Sequence, residues 1–385
     1  MSVVIVTAFR TAIGKFNGMF KHYKAHDLTA RIFEKIFDTT TIGPDMITEV
    51  ILGQVLTCLT GQNPARQAAI VAGIPYSVPS FSVNLVCGSG LKSIILATEK
   101  ILLNPDAIIL AGGQENMSMT PHALSLRRKV HTGEMKMIDS LIFDGLTDIY
   151  SLQHMGVLSE NLSKKYSISR EQQDDYAFSS VQKAITAQIE GKFTKEIVSI
   201  LTTDGISDLD EHIRKDLTRD KLSSLKPAFE KNGTITAGNA SGINDGAAAC
   251  LLMSEINAKK LNIEIRAYIR SWVTIGNDPS MMGIAPVIAI QKALNQINWS
   301  LDDVDVFEIN EAFSVQIIAV LQELGLTQDK VNLNGGAVAL GHPIGASGAR
   351  LLVTLLHIME DRNLHKGVVS LCVGGGSGVA ICIER

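Results

Sequence analysis

The sequence has no pair of cysteines at a metal-binding or redox spacing. The five it has, Cys58, Cys87, Cys250, Cys372 and Cys382, include no CxxC. An odd, scattered set in a chain of 385 residues excludes a disulfide framework and a zinc cluster, so no metal is expected, and free thiols point to a reducing compartment. Aromatic residues make up only 5%, too few for base-stacking platforms. Thirty-five basic side chains against 39 acidic ones give a net charge of −4 with no block of one sign, which disfavours a nucleic-acid binder. No apolar run reaches the ~18 residues that span a bilayer, and no low-complexity segment is present. Ser2-Val-Val-Ile-Val6 reads as a strand with no leader before it. Val379-Ala-Ile-Cys-Ile-Glu-Arg385 reads as a strand without a peroxisomal tripeptide. The expected location is the cytoplasm, with no membrane partner.

With 46% hydrophobic residues, the chain has ample core material for two or three domain-sized units. Short β-branched runs alternate with longer segments of helical period, the signature of a mostly parallel sheet covered by helices. Val50-Ile-Leu52 and Asp106-Ala-Ile-Ile-Leu-Ala111 are predicted strands. Asn63-Pro64 is a cap and first-turn proline opening a helix through Ala72. Ser169 and Gln172 fit a capping box. Two stretches look alike: CGSGLKSIIL at 87–96, before a strand ending in Ala111-Gly112-Gly113, and GASGARLLVT at 345–354, before a strand ending in Val373-Gly374-Gly375. Gly348 lies 258 residues after Gly90, and Gly374 lies 262 after Gly112, which suggests an internal duplication. Between the two stretches, roughly 119–247, the texture turns richer in charge, Ser and Thr, as an inserted domain would.

Cys87 follows the predicted strand Phe81-Ser-Val-Asn-Leu-Val86 and precedes Gly88-Ser-Gly90 at the start of an amphipathic helix. The helix macrodipole puts about half a positive charge there, which is expected to lower the thiol pKa and make a nucleophile. The alternative is a buried cysteine in a tight turn. His342 stands in a run with five glycines and is followed by Pro343, a setting that suits a general base. The spacing of Gly341, Gly345 and Gly348 matches neither a dinucleotide fingerprint nor a Walker loop. Cys372-Val-Gly-Gly-Gly376 at a strand end and Asn310-Glu-Ala-Phe313 after a strand at 304–309 complete the set. Two thiols and a histidine beside glycine turns suggest nucleophilic catalysis with separate proton transfer.

Four blocks carry a resemblance: Val83-Asn-Leu-Val-Cys-Gly-Ser-Gly-Leu-Lys92, Asn310-Glu-Ala-Phe313, Gly341-His-Pro-Ile-Gly-Ala-Ser-Gly348 and Cys372-Val-Gly-Gly-Gly376. In this order they resemble the thiolase superfamily over essentially the whole chain, and most closely its biosynthetic branch, whose activity is acetyl-CoA C-acetyl transfer. The resemblance implies an α/β thiolase fold: two duplicated halves, each with a mixed five-stranded sheet in αβαβα layers, plus an inserted loop domain. The expected boundaries are 1–118 for the first half (completed at about 247–253), 119–246 for the CoA-binding insertion, and 254–385 for the second half.

The implied chemistry is a reversible Claisen condensation of two acetyl-CoA to acetoacetyl-CoA and CoA, with CoA thioesters as substrates and no cofactor. Cys87 takes the acetyl group, His342 accepts its proton, and Cys372 removes a proton from the second acetyl-CoA. His342 and a water held by Asn310 stabilise the enolate, and the amides of Cys87 and Gly374 form a second oxyanion hole. The two thiols are expected to be pulled toward thiolate with coupled titrations. Thr236-Ala-Gly-Asn-Ala-Ser-Gly-Ile-Asn-Asp-Gly246 matches a block in which Ala237 and Ser241 face the pantetheine; Phe229 lines its channel, and Arg214 and Lys221 lie near the adenine and phosphates. Lys221 departs from the small residue expected at its position, and Ser377 from a bulkier one. Gln153-His-Met-Gly156 carries the short-chain signature, with His154 and Met155 crowding the acyl pocket beside Phe313. The resemblance further implies a homodimer or homotetramer, with Arg127-Arg-Lys129 in an assembly loop.

Three other readings are set against this one. A degradative 3-ketoacyl-CoA thiolase differs by chain length. A β-ketoacyl synthase does not use a second cysteine. A catalytically silent acyl-CoA-binding protein has no need of Cys87, His342 and Cys372 together.

Overall fold

A computed structural model describes residues 2–126, 134–203 and 205–385. The Arg127-Arg-Lys129 triplet lies outside the described residues. Nine strands form the backbone of one large sheet: β1 (Val3–Thr11), β2 (Glu49–Gly53), β3 (Ser80–Val83), β4 (Ile108–Asn116), β5 (Asn244–Ser254), β6 (Ala267–Gly276), β7 (Val306–Ile309), β8 (Lys366–Val373) and β9 (Ser377–Glu384). They lie side by side as β7-β8-β9-β6-β1-β5-β4-β2-β3. The expectation of a mostly parallel sheet is corrected, since the central pairs from β8 to β4 are all antiparallel and only β7-β8, β4-β2 and β2-β3 run parallel. From the centre outward the first half reads β1-β5-β4-β2-β3 and the second β6-β9-β8-β7, one topology used twice. β1 and β6 join the halves through a short antiparallel seam, Val3 to Ile269 through Ile5 to Ala267. The fifth strand expected in the second half is reduced to a single bridge between Val331 and Phe307. There the chain turns at once through Asn332 (φ +49°) into Asn334-Gly335-Gly336.

Successive strand residues serve two cores, as period-two alternation dictates. Val3 and Ile5 of β1 face the central core, whereas Val4 and Val6 face an outer one. The central layer is made by helices α3 (Ser89–Leu103) and α8 (Ser347–Asp361). Every residue of α8 from Ser347 to Met359 is buried, as a helix enclosed between the two halves of the sheet requires. Helix α1 (Ala25–Thr39) covers the outside of the first half with Leu28, Ile32, Phe33 and Ile36, with α2 (Pro64–Val71) beside it. Ala285–Gln296 and Ser314–Leu324 cover the second half.

Helices α3 and α8 start 258 residues apart, at 89 and 347, and so do β4 and β8, at 108 and 366. The duplication therefore keeps one offset, and the pairing of Gly112 with Gly374 is corrected. Gly112 and Gly113 sit inside β4, which runs on to Asn116, while Gly374 lies just beyond β8. Glycine is needed inside β4 because the second half docks there. A Cβ on Gly113 would sit 2.0 Å from the Gly345 carbonyl oxygen, and one on Gly90 2.9 Å from the same atom. Gly113→Ala is therefore expected to destabilise the protein by about 3 kcal/mol or more, measured by denaturant unfolding. Gly276→Ala, with nothing within 4 Å of the new carbon, should be close to neutral. Equal effects from the two would refute the docking account.

Local signals hold where they are short-range. Asn63 caps α2 by accepting from the Arg66 amide at 3.2 Å, with Pro64 in the first turn. Both arms of the Ser169–Gln172 capping box are present at Arg170–Ile189. In the segment 119–246, apolar residues pack onto the halves. Val181, Ala184 and Phe193 cluster with Ile13 and Leu340, and Leu158, Leu162 and Ile235 with Val315, Ala319 and Cys372. Among the described residues, no helix is long and apolar enough to cross a membrane.

Candidate active site

β3 ends at Val83, three residues short of the predicted strand, and the chain turns sharply into α3. Val86 takes φ +42°, a left-handed conformation that costs a β-branched residue about 1–3 kcal/mol. The turn is held from both sides. Asn84 Oδ1 accepts from the Val86 amide (2.9 Å), the Leu85 amide donates to Ser89 Oγ (2.8 Å), and Ser89 Oγ donates to the Val86 carbonyl (2.6 Å). Cys87 stands at the top of this turn, half-buried. Gly88 is required beneath it, since a Cβ there would lie 2.8 Å from Cγ2 of Val373 in the other half.

His342 comes from the second half, in the glycine-rich loop that leads into α8. Its amide donates to Asn244 Oδ1 (3.0 Å), and its Nδ1 lies 2.6 Å from Ser347 Oγ. The Ser347 hydroxyl donates its single proton to the Pro343 carbonyl (2.9 Å), so it accepts from Nδ1–H. This assigns the tautomer from the hydrogen-bond network. Nε2 is left as the acceptor, 3.3 Å from Asn310 Nδ2. Burial first, and then the positive charge of Arg350, push the imidazole pKa down to about 3. His342 is thus a neutral base at physiological pH. Asn310 is wholly buried, and its Oδ1 has no partner among the described residues.

Cys372 is the penultimate residue of β8 and is 2% exposed. The chain then reverses through Gly375 and Gly376 at φ +80° and +81°, which presents the Gly374 amide to Cys87. Two backbone amides, those of Gly374 and of Cys87 itself, are directed at the Cys87 sulfur. The expectation of a lowered thiol pKa is corrected. Burial drives Cys87 up to about 12 despite these amides, with Glu115 pushing the same way. Burial also raises Cys372, and a thiolate at Cys87 would raise it further, which is the expected coupling with the opposite sign. A helix terminus offers half a charge, whereas apolar enclosure removes the solvation of a whole one. In the free protein both thiols are therefore protonated. The rate of Cys87 alkylation by iodoacetamide should rise about tenfold per pH unit from pH 7 to 9 with no plateau. A plateau with a midpoint below 9 would contradict this account.

Cys87, His342, Cys372, Gly374, His154, Met155, Phe229, Ala237, Ser241 and Phe313 all line one cavity of about 440 Å³. His154 caps Met155–Tyr166, its Nδ1 accepting from the Gly156 amide at 3.0 Å. Its ring stacks on Phe229 (centroids 4.8 Å apart), and Phe229 meets Phe313 edge-on at 6.1 Å. A side chain on Gly156 would enter the Phe229 ring at 2.4 Å, so the Met-Gly pair and the aromatic wall require one another. Ser241 directs its amide and hydroxyl to the Ala312 carbonyl, at 3.0 and 2.9 Å.

Arg214 and Lys221 lie outside the cavity lining. The Arg214 guanidinium donates to the carbonyls of Ala237, Gly238 and Val338, and Lys221 pairs with Asp216 on the surface. Sequence reasoning missed Met117, Ile142, Leu146, Met282 and Ile344, which supply apolar wall, and His212. Burial, with Arg214 adding to it, takes His212 down to about 4, so its imidazole is neutral. It also missed the supports Asn244 and Ser347, although Ser347 lies inside the glycine-rich block itself.

A cavity that can hold a thioester carbonyl between a thiol and two amides, with a neutral base alongside, is built to move acyl groups. By class the protein is an acyltransferase. Comparison with known proteins takes the assignment further. The family model for the thiolase N-terminal domain matches residues 3–256, and that for the thiolase C-terminal domain matches residues 263–385. The chain belongs to the thiolase family. It is 50% identical to an acetyl-CoA acetyltransferase of Cupriavidus necator, with 100% of this chain and 99% of that one covered. It is 52% identical to a probable acetyl-CoA acyltransferase of Staphylococcus aureus at the same coverage. Among solved structures, Bacillus anthracis acetyl-CoA acetyltransferase superposes with a TM-score of 0.95 at 42% identity. Human mitochondrial 3-ketoacyl-CoA thiolase in complex with CoA gives 0.97 at 39%. Each alignment covers 100% of this chain and 98% of the other.

Proposed function

We propose that this protein is an acetyl-CoA C-acetyltransferase, condensing two acetyl-CoA into acetoacetyl-CoA and CoA, and running thiolysis in reverse, through an acetyl-Cys87 intermediate. The observation that carries the reading is the meeting of Cys87, neutral His342 and Cys372 in one cavity, with two amides aimed at the Cys87 sulfur. Cys87 attacks the thioester carbonyl while its proton passes to His342 Nε2. The Cys87 and Gly374 amides receive the oxyanion, and CoA leaves with the proton. Cys372 then passes its thiol proton to His342 and, as a thiolate, takes the methyl proton of the second acetyl-CoA, and the enolate forms beside His342 and Asn310. Its carbon bonds to the acetyl carbonyl, the Cys87–acetyl bond breaks, and the Cys87 sulfur takes the proton back from His342. Ala237 and Ser241 face the pantetheine, and Phe229 lines its channel. Lys221 is free to meet the phosphate end, because an exposed ion pair such as that with Asp216 contributes little and breaks readily; Arg214 is held on the carbonyls of Ala237, Gly238 and Val338. No cofactor is invoked. The working form is a cytoplasmic homodimer or homotetramer, which light scattering distinguishes.

Incubation with acetyl-CoA followed by peptide mapping should find one acetyl group on the Cys87 peptide. Its absence would overturn the reading.

The likeness to a 3-ketoacyl-CoA thiolase supports a second reading, thiolysis of longer substrates. Against it, His154 stacked on Phe229 and buried Met155 shorten the acyl end of the cavity. Met155→Ala should raise kcat/KM for a six-carbon 3-ketoacyl-CoA relative to acetoacetyl-CoA by about tenfold. An unchanged ratio would mean that Met155 does not set chain length.

A further inference from the structure

We propose that Glu115 is a positioning residue of the acyl-transfer site, holding the His342 loop against the nucleophile turn; this rests on the function proposed above. Glu115 lies in β4 and is wholly buried, and none of the ion pairs among the described residues includes it. Its carboxylate accepts three backbone amides: Val55 (3.0 Å) and Leu56 (3.2 Å), just beyond β2, and Gly345 (3.0 Å), three residues after His342. A buried carboxyl is costly unless it is hydrogen-bonded, and here every bond ends on the backbone of a loop that borders the site. Those loops come from opposite halves of the chain.

The bonds control placement because the loop has little room to move. Gly345 is pressed between Glu115 and the first turn of α3. A Cβ on it would lie 2.7 Å from Glu115 Oε2, and its carbonyl oxygen fills the space that Gly113 and Gly90 leave open. Val55, Leu56 and Ile344, next to the bonded atoms, pack in one apolar cluster with Met117 and Cys87. The carboxylate that ties Gly345 to residues 55–56 therefore sets where the imidazole loop lies relative to the thiol. No side-chain atom of Glu115 lines the cavity, so apart from its charge, which raises the Cys87 thiol, it acts on the chemistry through the groups it holds. Simple stabilisation of the fold is the competing account, and it predicts no selective effect on the chemical step.

Glu115→Gln places an NH₂ opposite amide donors and must lose at least one bond. Glu115→Asp keeps the carboxylate but draws it back by one methylene. Each is compared with the parent by circular dichroism, by steady-state kinetics, by the rate of Cys87 acetylation from acetyl-CoA and by Cys87 alkylation. In the Gln variant acetylation and kcat should fall about 100-fold with KM within about twofold. The Asp variant should show a smaller loss of kcat, again at unchanged KM. Parental acetylation rates in either folded variant would overturn the proposal. So would kcat and KM changing together, or loss of fold in both variants, which would make Glu115 structural only. If the parent itself is not acetylated, the proposed function fails; slowed alkylation in the Asp variant, which keeps the charge, would then sustain the positioning role, and unchanged alkylation there would remove it.

Discussion

Cys87→Ser should lower turnover by a factor on the order of 10⁴ or more while leaving the fold intact. Oxygen occupies less volume than sulfur at a half-buried site, so no clash arises. What changes is the ease of making the nucleophile. The thiol already sits at about 12 and its proton acceptor His342 at about 3. Transfer from sulfur to Nε2 is therefore uphill in the free protein and has to be driven as the carbonyl accepts charge under the two amides. A serine hydroxyl is a far weaker acid than a thiol, and the same neutral imidazole would have to deprotonate it. The measurements are acetyl-CoA-dependent acetylation of residue 87 and thiolysis of acetoacetyl-CoA, with thermal melting as the fold control. Residual turnover within tenfold of the parent would show that Cys87 is not the acyl carrier.

Cys372→Ala separates the two half-reactions. Acetylation of Cys87 should proceed at a rate within a few-fold of the parent, whereas condensation should fall about 10²–10⁴-fold, the usual contribution of a positioned acid–base group. The reason lies in the electrostatics of the pair. Burial holds the Cys372 thiol protonated, and a thiolate at Cys87 would hold it there more firmly. Once Cys87 carries an acetyl group it can no longer become a thiolate, so Cys372 can give up its proton with no negative sulfur beside it. The order of the steps is thereby written into the coupling. Cys372 is buried in an apolar cluster with Met155, Phe313 and Val315, so its removal leaves a small cavity and a modest loss of stability. Stability is read separately from the partial rates. Condensation near the parental rate in a folded Cys372→Ala protein would remove its role as base.

Much of the fold was legible because the signals are local. The Asn63-Pro64 start, the Ser169–Gln172 box and the β-branched runs depend on neighbours within a few residues, and each appears where the sequence predicts it. Element ends were less legible. The strand expected through Val86 stops at Val83, because Asn84 and Ser89 claim the intervening amides for a turn. The strand expected to end in Gly112-Gly113 continues to Asn116, because β5 pairs with it along its whole length. Nor do the residues themselves mark Arg214 as spending its donors on carbonyls of Ala237, Gly238 and Val338.

The sequence by itself determined which atoms can react and on what kind of turn they stand: two thiols and an imidazole beside glycines, in two similar halves. Those properties belong to residue types and short spacings. Tertiary structure alone decided how those atoms behave. That Cys87 is held up rather than down, that His342 is a neutral base, and that Glu115 bonds Gly345 across 230 residues of chain all follow from enclosure by segments distant in sequence. Solvation and charge act through space, and space is assigned only when the two halves close on each other.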